Sequence, residues 1–231
     1  NLRGTVVTFR YNRFDELKGL VDTHPDIGVI KMEVARNEEP QEGFLQKVRD
    51  LATTKNIVLV FDECSSGFRQ HFGGLHKVYG VDPDLAVFGK TLGNGYAITA
   101  VVGRRAIMDH AQTSFISSTF WTERIGSIAG LATLEVMEQV KSWDLIQHTG
   151  KELKVRWQML ADKYDLEIAQ WGLPGLQGFT FQGPESDILK TLVTQEMLKK
   201  GYLANNTVYV STAHTTEIIE EYLLALDSTF Q

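Results

Sequence analysis

Much of what this chain could do is excluded by what it has little of. A single cysteine, Cys64, stands in 231 residues, so no disulfide framework can form within the chain, and a reducing, cytoplasmic compartment suits it. No apolar run approaches the roughly 18 residues of a membrane-spanning helix, and no secretory leader is recognised, so no membrane partner is expected. The net charge is −6 with the two signs mixed along the chain; there is no basic stripe, and nucleic acid is not an expected partner. The six histidines are scattered. Even the closest pair, His71 and His76, does not share a helical face, and Gly73 and Gly74 lie between them, so no metal site is expected. Internal repeats and low-complexity tracts are absent. So is an opening methionine, since the chain begins at Asn1, and a piece of something longer is expected.

What remains is an ordinary globular composition, 43% hydrophobic, ample for a sizeable core in one large domain or two smaller ones. Residues 27–33 read as a strand ending at Glu33, and 34–43 as a polar loop. Phe44, Leu45, Val48 and Leu51 then share one helical face. The continuous apolar run at 56–61 fits a parallel strand covered on both faces. Residues 65–84 read mostly as loop, 84–88 and 98–103 as two further strands. Ile125, Ile128, Leu131, Leu134, Met137 and Val140 keep helical spacing in a long amphipathic helix, with Glu135 and Glu138 on another face. A second helix is predicted over 145–163, short strands at 166–170 and 177–182, and a helix over 186–200 stopped by Gly201. Thr215 is positioned to cap a last helix. The fold class is therefore α/β with a mostly parallel sheet over residues 1–143, followed by a smaller α+β domain over 144–231.

Two ionisable residues end apolar runs: Asp62 in Phe61-Asp62-Glu63-Cys64 and Lys90 in Phe88-Gly89-Lys90-Thr91-Leu92-Gly93-Asn94-Gly95. A strand delivers each to a cleft, and a buried carboxylate or amine is costly unless paired. Lys90 has a bland reading as a surface lysine, and Asp62 as a cap or turn acid. The sharper reading is one ligand that satisfies both. Pyridoxal 5'-phosphate takes the amine as a Schiff base and offers a ring nitrogen to the carboxylate. Nucleotide loops are set aside. A Walker A loop needs a glycine where Asp84 stands, and a dinucleotide fingerprint starting at Gly93 needs one where Ile98 stands. Ser117, Ser118 and Thr119 read either as turn and N-cap residues for the helix containing Ile125 or as a phosphate-binding cluster at its start. Cys64 reads either as a reactive thiol or as a small packed residue.

In order and spacing, Glu33, Gly43-Phe44-Leu45, Phe61 through Arg69, Pro83-Asp84-Leu85, Gly89 through Gly95 and Ser118-Thr119-Phe120 resemble the class III aminotransferases, the fold type I pyridoxal-phosphate enzymes that include glutamate-1-semialdehyde aminomutases. The resemblance implies that Lys90 is the Schiff-base lysine and later the acid–base at the substrate carbon, and that Asp62 pairs with the pyridine nitrogen. It places Cys64 against the ring, and Ser118 and Thr119 at the cofactor phosphate of a neighbouring subunit, which implies a homodimer with a shared site. An amino donor and a carbonyl acceptor are the implied small-molecule partners. An aminomutase that returns the nitrogen to the same molecule is the alternative. The family continues differently after the threonine, and the bulky Trp121 in this chain is expected to reshape the substrate entrance. Nothing in residues 1–30 matches the family's phosphate cup or ring-stacking aromatic. The chain is thus expected to begin partway through the large domain, which also leaves open a non-catalytic fragment.

Overall fold

The computed structural model describes residues 4–41, 43–120 and 122–231. The chain divides into two compact units, one formed by Asn1–Ala35 with Pro40–Val136, the other by Arg36–Glu39 with Met137–Gln231.

The first unit opens with helix α1 (Phe14–Thr23), strand β1 (Val29–Glu33), helix α2 (Phe44–Thr54) and strand β2 (Val58–Asp62). In α2 the predicted apolar face is the buried one: Phe44, Leu45, Val48 and Leu51 all lie inside, the outcome helical periodicity demands. β2 buries Leu59, Val60 and Phe61 in succession, as a strand covered on both faces does. A long loop carrying the single turn α3 (His76–Tyr79) leads to β3 (Leu85–Phe88), a short 3-10 turn at Lys90–Leu92, and β4 (Ala100–Gly103). The sheet order is β1-β2-β3-β4. β1, β2 and β3 run parallel and β4 returns antiparallel. The turn α4 (Arg105–Met108) and a 3-10 segment at Asp109–Thr113 lead toward helix α5 (Ile125–Val140).

α5 departs from its predicted packing. Ile125, Ile128 and Leu131 are exposed, and the side that packs is the glycine side. A Cβ on Gly126 would lie 2.6 Å from the carbonyl oxygen of Ala97, so only glycine lets this helix start so close to the 97–98 backbone. Leu134 on the same side joins the cluster of Ala86, Phe88 and Leu92. Hydrophobic periodicity identifies the helix but not which of its two apolar surfaces meets this unit.

The second unit contains α6 (Ser142–Lys163), the hairpin β5 (Ile168–Leu173) and β6 (Leu176–Phe181), α7 (Ser186–Lys199), the short β7 (Thr207–Val208) and α8 (Thr216–Phe230). β5, β6 and β7 form an antiparallel sheet. Trp157, Phe179, Phe181, Met197, Leu223 and Leu226 build its core. α7 ends before Gly201, held at φ +89°, and the Thr215 hydroxyl accepts from the Ile218 N–H at the start of α8, both as the sequence predicts. The 36–39 segment joins this unit through a bond from the Gly172 N–H to the Asn37 carbonyl, 3.2 Å.

Candidate active site

Parallel pairing brings the C-terminal ends of β2 and β3 side by side, with Asp62 opposite Val87. The Glu63 N–H extends the ladder by donating to the Val87 carbonyl at 2.8 Å. At such an edge the chain leaves the sheet and its side chains become available to ligands.

Asp62 is half-buried. Its Oδ1 accepts from the Cys64 N–H at 3.1 Å, an Asx-type bond that fixes the turn leaving the strand. Its Oδ2 pairs with Lys31 Nζ at 2.9 Å. Partial burial disfavours the charged form, but the Lys31 ammonium and the Cys64 bonds outweigh it and hold the carboxyl below its ordinary value. Asp62 is therefore a carboxylate at neutral pH. Burial, with the Asp62 carboxylate beside it, pushes the Cys64 thiol up, so the thiol stays protonated and the reactive-thiolate reading loses its footing. A Cβ on Gly89 would touch Cys64 Sγ at 3.4 Å. The sulfur thus packs against the backbone just ahead of Lys90.

Lys90 holds an unusual backbone conformation for a residue with a side chain, φ +42°. Non-glycine residues held in this region concentrate at functional sites. Its Nζ donates to the hydroxyl of Ser65, and among the described residues no carboxylate forms an ion pair with it. The sequence predicts a buried amine, but the structure leaves Lys90 exposed. It follows β3 in a left-handed conformation, and Ser65 of the loop beyond β2 is its hydrogen-bond partner. The loop after β2 is tied down at several points. Thr91 Oγ1 donates to the Gly67 carbonyl at 3.0 Å, and the Phe68 and Phe88 rings meet at 5.3 Å.

Ser117, Ser118 and Thr119 lie in an exposed segment before α5. The Ser118 hydroxyl accepts from the Phe120 N–H at 3.2 Å. None of the three caps the helix: Glu123 does, accepting from the Ile125 N–H at 2.6 Å and the Gly126 N–H at 3.4 Å. The N-cap reading is corrected accordingly, because a glutamate two residues before the helix reaches the same free N–H groups with a full negative charge. Trp121 lies outside the described residues.

The donor set fits pyridoxal 5'-phosphate. An amine that no described carboxylate holds suits an aldehyde, and an ionised carboxylate suits a cationic ring nitrogen. The loop joining the two carries a protonated, packed sulfur. Two participants are not legible from sequence, Lys31 on Asp62 and Ser65 on Lys90. Ser65 lies within the motif that carries the resemblance. Lys31 has no such signal, since its contact depends on strand register. Among the described residues no group of three His, Cys, Asp or Glu side chains could hold a metal ion.

Residues 37–217 match the family described as aminotransferase class-III. A 3-aminobutyryl-CoA aminotransferase of Cloacimonas acidaminovorans is 31% identical over 94% of this chain and 58% of its own length. A glutamate-1-semialdehyde 2,1-aminomutase of Hyperthermus butylicus is 30% identical over 96% of this chain and 57% of its own. The chain thus spans little more than half the length of these relatives. Among solved structures, the PLP internal aldimine form of the Sphingopyxis sp. MTA144 FumI protein superimposes with a TM-score of 0.91 at 25% identity, covering 97% of this chain and 56% of that one. An acetylornithine aminotransferase from Elizabethkingia anophelis shares the fold, with a TM-score of 0.84 at 21% identity over 97% of this chain and 59% of that one. By its matched span, this chain belongs to the class-III aminotransferase family.

Proposed function

We propose that the protein carrying this chain is a pyridoxal-phosphate-dependent aminotransferase that moves an amino group from an amino donor to a carbonyl acceptor. The observation that carries this reading is Lys90, a side chain held in the left-handed region at the end of β3, its amine on the Ser65 hydroxyl rather than on any described carboxylate. When bound, pyridoxal 5'-phosphate supplies an aldehyde that takes up amines and a ring that withdraws electrons from the carbon next to the nitrogen. Lys90 provides the amine that holds it and, once released, removes and returns the proton at the substrate carbon. Asp62 presents a carboxylate to the ring nitrogen, and Cys64 packs against the ring. Ser118 and Thr119 offer hydroxyls to the phosphate from a second subunit. The exposed apolar residues of the same stretch, Phe115, Phe120, Ile125 and Ile128, support a homodimer with a shared site, since apolar patches of this kind mark interfaces. The lone unpaired cysteine supports a cytoplasmic location.

The test is reduction of the intact protein with borohydride in the presence of the cofactor, followed by peptide mass spectrometry. The expected adduct sits on the peptide containing Lys90 and is absent from Lys90→Ala. An adduct elsewhere, or none, rejects the proposal. The 30% identity to an aminomutase favours a second reading, in which the nitrogen returns to the neighbouring carbon of the same molecule. Labelled nitrogen separates the two: a transferase passes the label to a second molecule, an aminomutase keeps it.

A further inference from the structure

Lys31 and Asp62 belong to neighbouring parallel strands. The register places Lys31 opposite Val60 and Glu33 opposite Asp62. Because side chains alternate along a strand, 31, 33, 60 and 62 all project from one face of the sheet. The Lys31 side chain crosses one step diagonally to reach Asp62 Oδ2 at 2.9 Å, and is 61% exposed against 23% for its partner. Asp62 Oδ1 is held separately by the Cys64 N–H. Cys64 also bonds the carboxylate through its side chain, so Lys31 and Cys64 between them take up part of its four lone pairs and leave the rest to spare.

We infer that Lys31 is a positioning residue of the active site: its ammonium keeps Asp62 ionised and fixes the direction in which the remaining lone pairs point. The inference rests on the cofactor reading above and deepens it. A cation bound to one oxygen makes the carboxylate less basic. A less basic carboxylate leaves a shared proton on the ring nitrogen, where the electron-withdrawing chemistry needs it. The bland alternative is an exposed strand-to-strand ion pair, and such pairs add little to stability. The two readings part on how strongly Lys31 is coupled to Asp62: a weakly coupled surface pair leaves its midpoint where it was, whereas a positioning cation moves it and carries neutral-pH stability along.

Among the described residues, the charged and titratable groups around Asp62 come from two elements. Lys31 comes from β1 and Cys64 from the turn beyond β2. Glu33 acts on Lys31, and Lys90 acts on Cys64. Lys31 is the cation bonded to the carboxylate, so its removal has a readable effect.

The experiment is carbon-13 NMR of the full chain with labelled aspartate, the Asp62 signal being assigned by its loss in Asp62→Asn. In Lys31→Met the Asp62 midpoint moves up, with proton binding about tenfold tighter, and stability at neutral pH falls with it while stability in acid does not. Lys31→Arg keeps the low midpoint of the unmodified protein. A midpoint unmoved by Lys31→Met, or a Lys31→Arg variant that shifts as far as Lys31→Met, overturns the inference. Borohydride trapping on the same preparations keeps the two claims apart. Absence of a Lys90 adduct from the unmodified protein overturns the cofactor reading and with it the catalytic purpose of Lys31, whereas an unmoved Asp62 midpoint overturns Lys31 alone.

Discussion

Glu63 and His76 meet inside the first unit, His76 Nδ1 donating to Glu63 Oε1 at 2.9 Å. The glutamate side chain is fully enclosed. The His76 backbone N–H donates to the same oxygen at 3.0 Å, and the Ser66 hydroxyl donates to the other. The pair pins the loop that carries Ser65 and Cys64 against the end of β2. Burial opposes the Glu63 charge, but the bonds from His76 and Ser66 outweigh it and hold its pKa below the ordinary glutamate value. The folded pKa is depressed, so this contribution is complete above the ordinary value and is lost as pH falls through the lower folded one.

The first prediction concerns the ranking of two substitutions at this pair. His76→Phe removes a donor from an enclosed carboxylate, which costs about 3–5 kcal/mol. Glu63→Gln keeps an acceptor for His76 and removes the buried charge, which costs about 1–3 kcal/mol. Urea unfolding checks the order. Equal losses would mean the charge is not what the loop is built around.

The second prediction tests Asp62. Asp62→Asn keeps the shape but loses the charge, so the variant retains some cofactor while turnover falls roughly 100-fold or more, as it does when a preorganised electrostatic partner is removed. Steady-state rates and cofactor absorbance measure the two effects separately. Unchanged turnover removes Asp62 from the mechanism. In the unmodified protein Asp62 is ionised throughout the neutral range, so its protonation contributes to loss of activity only in acid.

Asp62 and Lys90 are legible in the sequence because each ends an apolar run and has neighbours that carry chemistry. The sheet is legible in part: β2 reads as a doubly covered strand in a mostly parallel sheet, but its flanking by β1 and β3 is seen only in the structure. Lys31 is not legible, since nothing local in Ile30-Lys31-Met32 says which residue of β2 it will meet; that is set by pairing register, a tertiary property. The burial of Lys90 is not legible either. Its apolar neighbours predict a buried amine, yet Lys90, at φ +42°, is exposed while Phe88, Gly89 and Leu92 stay inside. The start of α5 misleads because hydroxyl residues are the commoner caps, and a glutamate at position 123 competes for the same N–H groups.

A third prediction concerns Asp84, a structural anchor. Its Oδ2 accepts from the Leu59 N–H at 2.8 Å and pairs with Arg49 at 2.9 Å, and its Oδ1 pairs with Arg104 at 2.8 Å. The side chain is only 4% exposed. Asp84→Asn presents an amide N–H₂ to donors on both sides, and the loss is about 3 kcal/mol or more. Thermal or urea unfolding reads it. Burial opposes the Asp84 charge, but the Leu59, Arg104 and Arg49 bonds hold its pKa below the ordinary value. The stabilisation is present above that value and fades as pH drops below it, so the gap between Asp84→Asn and the parent narrows in acid.

The last prediction sets two glycines of α5 against each other. At Gly126 an added Cβ would sit 2.6 Å from the Ala97 carbonyl oxygen, which is backbone and cannot swing aside. At Gly130 the nearest atom is Ile98 Cδ1 at 3.6 Å, an ordinary van der Waals distance. Replacing a mid-helix glycine by alanine gains about 1 kcal/mol of helix propensity where space permits, whereas overpacking costs about 1–3 kcal/mol. Gly126 stands in the first turn, where the propensity gain is smallest and the clash largest, so Gly126→Ala destabilises. Gly130→Ala, deeper in the helix and unobstructed, stabilises. Paired melting curves decide it. If Gly126→Ala stabilises as Gly130→Ala does, α5 does not meet residues 97–98 through its glycine face, and the exposed Ile125, Ile128 and Leu131 surface must be reassigned to this unit's core.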